Sequence, residues 1–223
     1  MGELFLIRHG QASYGSDDYD RLSDQGRRQA HWLGEYLLER GAIPDRVIIG
    51  TQQRHWQTIE ALADAMGRSF LVELDERWNE LDFQELVDAF ARQHPETDPQ
   101  PDPDKRFFKL MRRALLAWSE DGIEAPLRES WLQMRERVAQ ALAAVQSAPQ
   151  HERVFVVSSS GAIAAALMQI MRFPAQTHVD LYLQARNTGF SELFFNADLL
   201  RVTAFNQTPH LDMPERRASL SFI

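Results

Sequence analysis

Leu4-Phe5-Leu6-Ile7-Arg8-His9-Gly10 is the stretch on which the reading of this chain turns. Four apolar residues run into an arginine, a histidine and a glycine. A short apolar run bounded by a turn residue predicts a buried strand. Arg8 and His9 then stand at its C-terminal end, the end that faces the ligand crevice in open α/β sheets. A fixed cation and a titratable nucleophile are delivered together. Gly10 allows a sharp turn and a close backbone approach to an anion. The plainer alternative is a strand that ends in a polar turn.

Outward from that stretch, Gln11 to Asp20 is a polar loop, placed by its exit from the strand end to contact a ligand. Ser23 has the character of a helix N-cap, with Gln25 and Gly26 in the first turn. Ala30, Leu33, Leu37 and Leu38 follow at helical spacing, and Gly41 closes the helix. Arg46-Val47-Ile48-Ile49-Gly50 is a second short buried strand. Strand, helix and strand make a β-α-β unit, which implies a parallel sheet with a right-handed crossover. Thr51 to Thr58 opens the next helix, which continues through Ile59, Leu62 and Met66. Arg54 lies in its first turn, where helix N-termini favour anions and a guanidinium adds a two-pronged donor. His55 and Gln57 read as surface residues or as residues standing behind the site.

Composition bounds the function. The 223 residues carry a net charge of −8, with 44% hydrophobic and 25% charged residues and no cysteine. Disulfides, thiolate chemistry and cysteine-based metal sites are thereby excluded. The acidic balance argues against broad binding of nucleic acid or anionic membrane. A small anionic substrate is compatible with it where the site is locally positive. No apolar run reaches membrane-spanning length. The opening residues lack the basic region of a signal peptide, so a cytoplasmic location is expected.

The strand Leu4 to Ile7 with Arg8-His9-Gly10, the helix start Leu22 to Ala30, and Arg54 followed by Thr58 resemble the histidine phosphatase superfamily. That superfamily also holds the cofactor-dependent phosphoglycerate mutases. Order and spacing match from residue 3 to about residue 62. The resemblance implies that His9 is phosphorylated during turnover and that Arg8 and Arg54 clamp the phosphoryl group. The chemistry is consistent with this. A neutral imidazole, with an ordinary pKa near ~6.5, is a competent nucleophile. Two nearby arginines disfavour the imidazolium and stabilise the equatorial oxygens in a loose transition state. No metal and no cofactor is called for.

Further along, Leu74 to Phe83 is similar to the family segment that carries an acidic proton donor. Glu80 takes that position and Asp82 is the second choice. A positioned carboxylic acid aids departure of an alkoxide. Residues 84–130 read as a helical insertion; the resemblance implies that this region covers the site, and its shortness here implies a modest cover. It has a short amphipathic helix from Gln84 to Gln93, a Pro- and acid-rich loop from His94 to Pro103, and a second helix with Phe107, Leu110, Met111, Ala114, Leu115 and Trp118 on its apolar face. These aromatic residues read as core. Glu129-Ser130-Trp131 with Arg137 starts another helix, whose apolar face of Val138, Leu142 and Val145 extends to Pro149. The Glu-Ser pair and this arginine also occur in the family as a near-site structural element.

The third core strand is Val154 to Val157, and the helix after it runs from Gly161 to Met171. The joint between them departs from the family. A second catalytic histidine usually follows this strand, then glycines; here Ser159 holds the histidine's position and Ser160 that of the first glycine. A hydroxyl donates a hydrogen bond but brings no imidazolium charge. The N–H groups of Ser160 and Gly161 are expected to cradle a phosphoryl oxygen at the helix start.

The last third reads as strands at Val179 to Leu183, Phe190 to Phe195 and Leu200 to Phe205. Hairpin-like turns are expected at Asn187-Thr188-Gly189 and Asn196-Ala197-Asp198. Asn206 and His210-Leu211 resemble the family's C-terminal pattern, with His210 structural, and the tail from Pro214 reads as loose.

The expectation is therefore one α/β domain over residues 1–223, a three-layer sandwich with a mostly parallel sheet. The expected activity is metal-independent hydrolysis of a phosphomonoester through a phosphohistidine at His9. Arg8, Arg54 and Glu80 assist, and Gly10, Gln11, Ser159, Ser160 and Gly161 bind substrate. The substrate is a small phosphorylated molecule or a phosphoprotein, and a homodimer is compatible with the sequence. Mutase action needs a more enclosed site. A weakly active or inactive phosphate-ester or phosphoprotein binding module is the alternative, and a scaffold is a third, weaker one.

Overall fold

In the computed structural model of the chain, residues 1–13, 20–95, 102–147, 149 and 151–222 are described. Residues 14–19 of the first polar loop and 96–101 of the Pro-rich loop lie outside the described residues, and with them most of the ligand contact expected there.

The strand quoted first is β1 (Gly2–Arg8), and it is central. The other strands are β2 (Arg46–Ile49), β3 (Val72–Leu74), β4 (Arg153–Ser158), β5 (Phe190–Phe195) and β6 (Leu200–Gln207). Their order across the sheet is β3-β2-β4-β1-β5-β6. β3, β2, β4 and β1 run parallel, β5 pairs antiparallel with β1, and β6 pairs antiparallel with β5. β1 pairs with β4 so that Arg8 stands opposite Ser158. The C-terminal ends of two neighbouring strands therefore open into one crevice, which is where ligands enter such sheets.

Alternation along the strands sorts side chains into two cores. Phe5, Ile7, Phe155 and Val157 face helices α1 (Asp24–Glu39) and α2 (Gln53–Ala65) through Leu33, Leu37, Ile59 and Leu62. Leu4, Leu6, Val154 and Val156 face α5 (Trp131–Gln146) and α6 (Ser160–Met171) through Val138, Leu142 and Ala165. That is the expected three-layer sandwich. Residues Ser160 to Met168 of α6 are all buried, so this helix is apolar all round rather than on one stripe. On the same side lie α3 (Phe83–Gln93), α4 (Pro103–Ser119) and α7 (Ala175–Gln184).

Two caps sit as the sequence implies. The Ser23 hydroxyl accepts from the Gly26 N–H at 3.0 Å, and Ser130 forms a reciprocal capping box with Gln133. Gly10 serves a different purpose from a turn. A Cβ on it would come 2.4 Å from the Gly26 carbonyl oxygen, and one on Gly26 would come 2.1 Å from the Gln11 oxygen. The two glycines let the start of α1 press backbone to backbone against the loop after His9.

Three expectations are corrected. Val179 to Leu183 is not a strand but part of α7. Pro174 caps that helix in extended backbone, and the buried residues His178, Val179 and Tyr182 recur at helical spacing. Asn187 to Gly189 is consequently the turn from α7 into β5 rather than a hairpin, whereas Asn196 to Asp198 does join the antiparallel pair β5 and β6. The tail from Pro214 is tied down. The Ser219 carbonyl accepts from Gln29 Nε2 at 2.6 Å, and the Phe222 carbonyl accepts from Arg8.

Candidate active site

His9 follows β1 directly and is buried. Its backbone is held on both sides. Its N–H donates to the Ser158 carbonyl at 3.0 Å, and its carbonyl accepts from the Thr188 N–H at 3.2 Å. Nδ1 lies 2.7 Å from the Gly10 carbonyl oxygen. A carbonyl only accepts, so Nδ1 carries the proton and Nε2 keeps its lone pair. Burial, first of all, and then the charges of Arg54, Arg8 and a neighbouring His55 hold the His9 pKa well below the usual imidazole range, against the pull of the Gly10 bond.

Arg8 and Arg54 reach the same floor from two elements. Arg8 Nη1 donates to the carbonyls of Ala185 at 2.5 Å and Phe222 at 2.7 Å. Arg54, in the first turn of α2, donates from Nη1 to Asp20 Oδ1 at 2.7 Å and from Nη2 to Gln52 Oε1 at 2.9 Å. Thr58 explains its place in the motif. Its Oγ1 accepts from the Gly10 N–H at 3.1 Å and donates to the Arg54 carbonyl at 2.7 Å, which ties α2 to the loop after His9.

Glu80 arrives on a braced loop. Arg137 of α5 grips Glu129 with two nitrogens and donates from Nη1 to the carbonyls of Arg77 at 2.7 Å and Asn79 at 2.9 Å. The Glu80 carboxylate then lies on the N-terminus of α6. Both its oxygens are 3.2 Å from the Gly161 N–H, and Ser160 Oγ donates to Oε2 at 3.3 Å. A Cβ on Gly161 would come 2.1 Å from Glu80 Oε1, so any side chain there would push the carboxylate aside. The Gly161 N–H, expected to face a phosphoryl oxygen, is given to Glu80 instead; a helix N-terminus favours a carboxylate as it favours phosphate. Asp82 turns away to cap α3, accepting from the Glu85 N–H at 3.0 Å and pairing with Arg128 at 3.3 Å.

Arg8, His9, Arg54, Glu80 and Ser160 form the polar part of a pocket with about 500 Å³ of empty space, part of it open to solvent. The rest of its lining is apolar, with Phe83 from α3, Phe107, Phe108 and Met111 from α4, Tyr182 from α7, and Phe222. Gln11 stands aside: its Oε1 accepts from the Ser23 hydroxyl at 2.8 Å and its N–H donates to Gln29. Ser159 is fully buried and is not part of the lining; its Oγ lies 2.8 Å from His55 Nε2.

Of the two places that the sequence leaves open for His55, the surface or behind the site, it takes the second. It is fully buried, and its ring centroid lies 5.8 Å from that of His9. The signal was present: His55, Ile59 and Leu62 fall on one face of α2, at steps of four and three residues. Asp20 and Gln52, the partners of Arg54, were missed, because nothing local marks them. Among the described residues no group of three or more His, Asp or Glu is arranged to hold a metal ion, and no helix is long and apolar enough to cross a membrane.

The comparisons with known proteins accord with this geometry. The chain is 28% identical over 204 residues to a protein of Erwinia tasmaniensis named as a probable phosphoglycerate mutase, GpmB, covering 86% of this chain and 85% of that protein. A GpmB of the same description from an Enterobacter species is 27% identical over 96% of this chain and 97% of its own. Among solved structures, the complex of mycobacterial glucosyl-3-phosphoglycerate phosphatase with inorganic phosphate superposes with a TM-score of 0.66 at 24% identity, over 94% of this chain and 99% of that one. Phosphoserine phosphatase from Entamoeba histolytica gives 0.65 at 21% identity, over 95% of this chain and all of the other. The sequence model of the histidine phosphatase superfamily (branch 1) matches residues 4–208, and the chain belongs to that superfamily.

Proposed function

We propose that this protein hydrolyses phosphomonoesters in two steps through a phosphohistidine at His9, without a metal. The observation that carries the reading is the bond from Nδ1 to the Gly10 carbonyl, which leaves Nε2 as the lone-pair atom on a floor shared with Arg8 and Arg54. In the first step Nε2 attacks phosphorus, the bond to the ester oxygen breaks, and Glu80, which must enter this step as the carboxylic acid, gives the leaving oxygen its proton. In the second, water attacks the phosphohistidine, Glu80 takes the water's proton, and the P–N bond breaks to return neutral His9 and inorganic phosphate. Arg8 and Arg54 hold the equatorial oxygens throughout, the work a metal ion would otherwise do. Ser160 adds a hydroxyl to the pocket, while Gly10, Gln11, Ser159 and Gly161 contribute by shaping the groups around it.

The apolar lining favours a substrate whose leaving group is apolar, an aryl or alkyl phosphate. Phosphoserine and phosphoglycerate, which the neighbours bind by their own descriptions, carry a carboxylate as well. Arg8 and Arg54 are the cations of the lining among the described residues, and both serve the phosphoryl group. This weighs against mutase action on phosphoglycerate. A second reading, a phosphate-ester binding module, is favoured by one observation: Ser159 stands where the resemblance leads one to expect a second histidine, so position 159 brings no imidazolium charge.

A turnover screen over phosphomonoesters, with His9→Ala as control and mass spectrometry after a rapid acid-sparing quench, tests the proposal. The expected result is an acid-labile phosphate on His9, undiminished turnover in EDTA, and kcat/KM higher for aryl phosphates than for phosphoserine. Full turnover by His9→Ala overturns the nucleophile assignment. Anion binding without turnover of any ester moves the protein to the binding-module reading.

A further inference from the structure

His55 and Ser159 are two buried polar side chains from elements far apart in sequence, and each meets the other. Burying an imidazole and a hydroxyl is costly unless they pair, and an apolar pair would fill the same space more stably. Room for the ring is provided for: a Cβ on Gly50 would come 2.4 Å from His55 Nδ1. Ser159 is the N-cap residue of α6, yet its hydroxyl makes no capping bond to the helix; it is turned to His55 Nε2 at 2.8 Å. A serine at this position ordinarily caps.

Among the described residues His55 Nδ1 has no hydrogen-bond partner, so either ring nitrogen can carry the proton. Whether Ser159 Oγ donates to Nε2 or accepts from it, a lone pair remains on Oγ for Arg54, whose Nη2 stands 3.5 Å away, a long contact. Arg54 is thereby bounded by Asp20, Gln52 and Ser159, on the floor it shares with His9.

We propose that His55 is a positioning residue of the phosphoryl site. It acts through the Ser159 hydroxyl on Arg54, and it brings from α2 the imidazole that the resemblance leads one to expect at position 159. This rests on the function proposed above. It also sets the expectation for Ser159→His: an imidazole placed at position 159 with His55 in place collides with the ring already 2.8 Å from the Ser159 Oγ. The two sites should accept one imidazole between them.

The test is a set of five variants, His55→Ala, Ser159→Ala, Ser159→His, His55→Ala/Ser159→Ala and His55→Ala/Ser159→His. Each is assayed for kcat and KM on one aryl phosphate, for tungstate affinity and for melting temperature. His55→Ala and Ser159→Ala should each lower kcat by about 10- to 100-fold, below the roughly 10²–10³ of a donor that touches the transition state directly. Combining those two should cost no more than either alone. Ser159→His should be worse than Ser159→Ala, and His55→Ala/Ser159→His should recover turnover above His55→Ala. A merely structural pair predicts no such recovery.

Wild-type kcat in His55→Ala overturns the proposal. So does a folded His55→Ala/Ser159→His no faster than His55→Ala. Should His55→Ala fail to fold, Ser159→Ala decides, and wild-type kcat there overturns it. His9→Ala assayed alongside separates the two proposals, since full turnover in that variant condemns the nucleophile assignment and not the pair. If no ester is turned over, the same series is read by tungstate affinity, where the same order of loss and recovery supports the pair and equal affinities overturn it.

Discussion

Two neighbouring strand ends build this site, and they contribute opposite things. The end of β1, with the first turn of α2, brings the cations Arg8 and Arg54 and the lone pair of His9. The end of β4, with the first turn of α6, brings small neutral residues, Ser159, Ser160 and Gly161, and receives the carboxylate of Glu80. Positive charge is therefore concentrated on one side of the crevice and the carboxylate on the other. The lesson is that a helix N-terminus at the crevice of such a sheet need not be left open for an anionic ligand. Here it seats a carboxylate of the chain itself.

The strongest way to break that division is to remove the nucleophile from the β1 side. His9→Ala should lower kcat by about 10⁴-fold or more, as loss of a nucleophile does elsewhere, with tungstate affinity retained through Arg8 and Arg54. Next comes the α6 side. Gly161→Ala puts a methyl where the Glu80 carboxylate lies, and the expected loss is about 10²–10³ in kcat, within the usual worth of a general acid. The loss should shrink for esters with a good leaving group such as nitrophenol, which departs without a proton. An equal loss on good and poor leaving groups would mean that Glu80 is not the acid.

Smaller effects are read through pH. His9 must be neutral to attack, and its pKa is held well below 6.5 by burial and by Arg54 and Arg8. The acid limb of kcat/KM should therefore lie well below pH 6.5, and Arg54→Ala should move it upward. An acid limb at an ordinary histidine value in the wild type breaks the contrast between the two strand ends.

The stability effect is the smallest at neutral pH. Burial lowers His178, which packs under α6, to about 4, and burial with Arg216 lowers His210, near the β1 end, to about 3. The unfolded chain binds those protons first, so stability is full above the ordinary histidine pKa and falls as pH drops through it. The fall is about 1.4 kcal/mol per pH unit for each histidine. It stops growing near 4 for His178 and near 3 for His210. Melting temperatures between pH 7.5 and 4.5 should decline, and His178→Phe should flatten the slope.

How far the sequence carried the reading can be judged from particular residues. β1, β2, β4 and the helices α1, α2 and α5 were legible because apolar periodicity is a local signal with one solution. α7 was not: Val179, Leu181 and Leu183 alternate like a strand, and only packing against α4 and α6 decides for a helix. Arg8, His9, Arg54 and Glu80 could be named because they sit in short ordered motifs. His55 was left between the surface and a place behind the site because its partner Ser159 is 104 residues away, and the tail escaped because its partners are Gln29 and Arg8. Long-range partners leave no mark on the residues beside them.

The position of β1 has a consequence for how the molecule acquires its function over time. His9 belongs to the first β-α-β unit, yet the groups that hold it and Arg8 are Ser158, Ala185, Thr188 and Phe222. Such contacts close very long loops and form late, after the local ones. Refolding should accordingly regain helical content before it regains anion binding. A fragment spanning residues 1–66 holds the whole nucleophile motif and Arg54, but should bind no tungstate. Recovery of anion binding should therefore report completed folding.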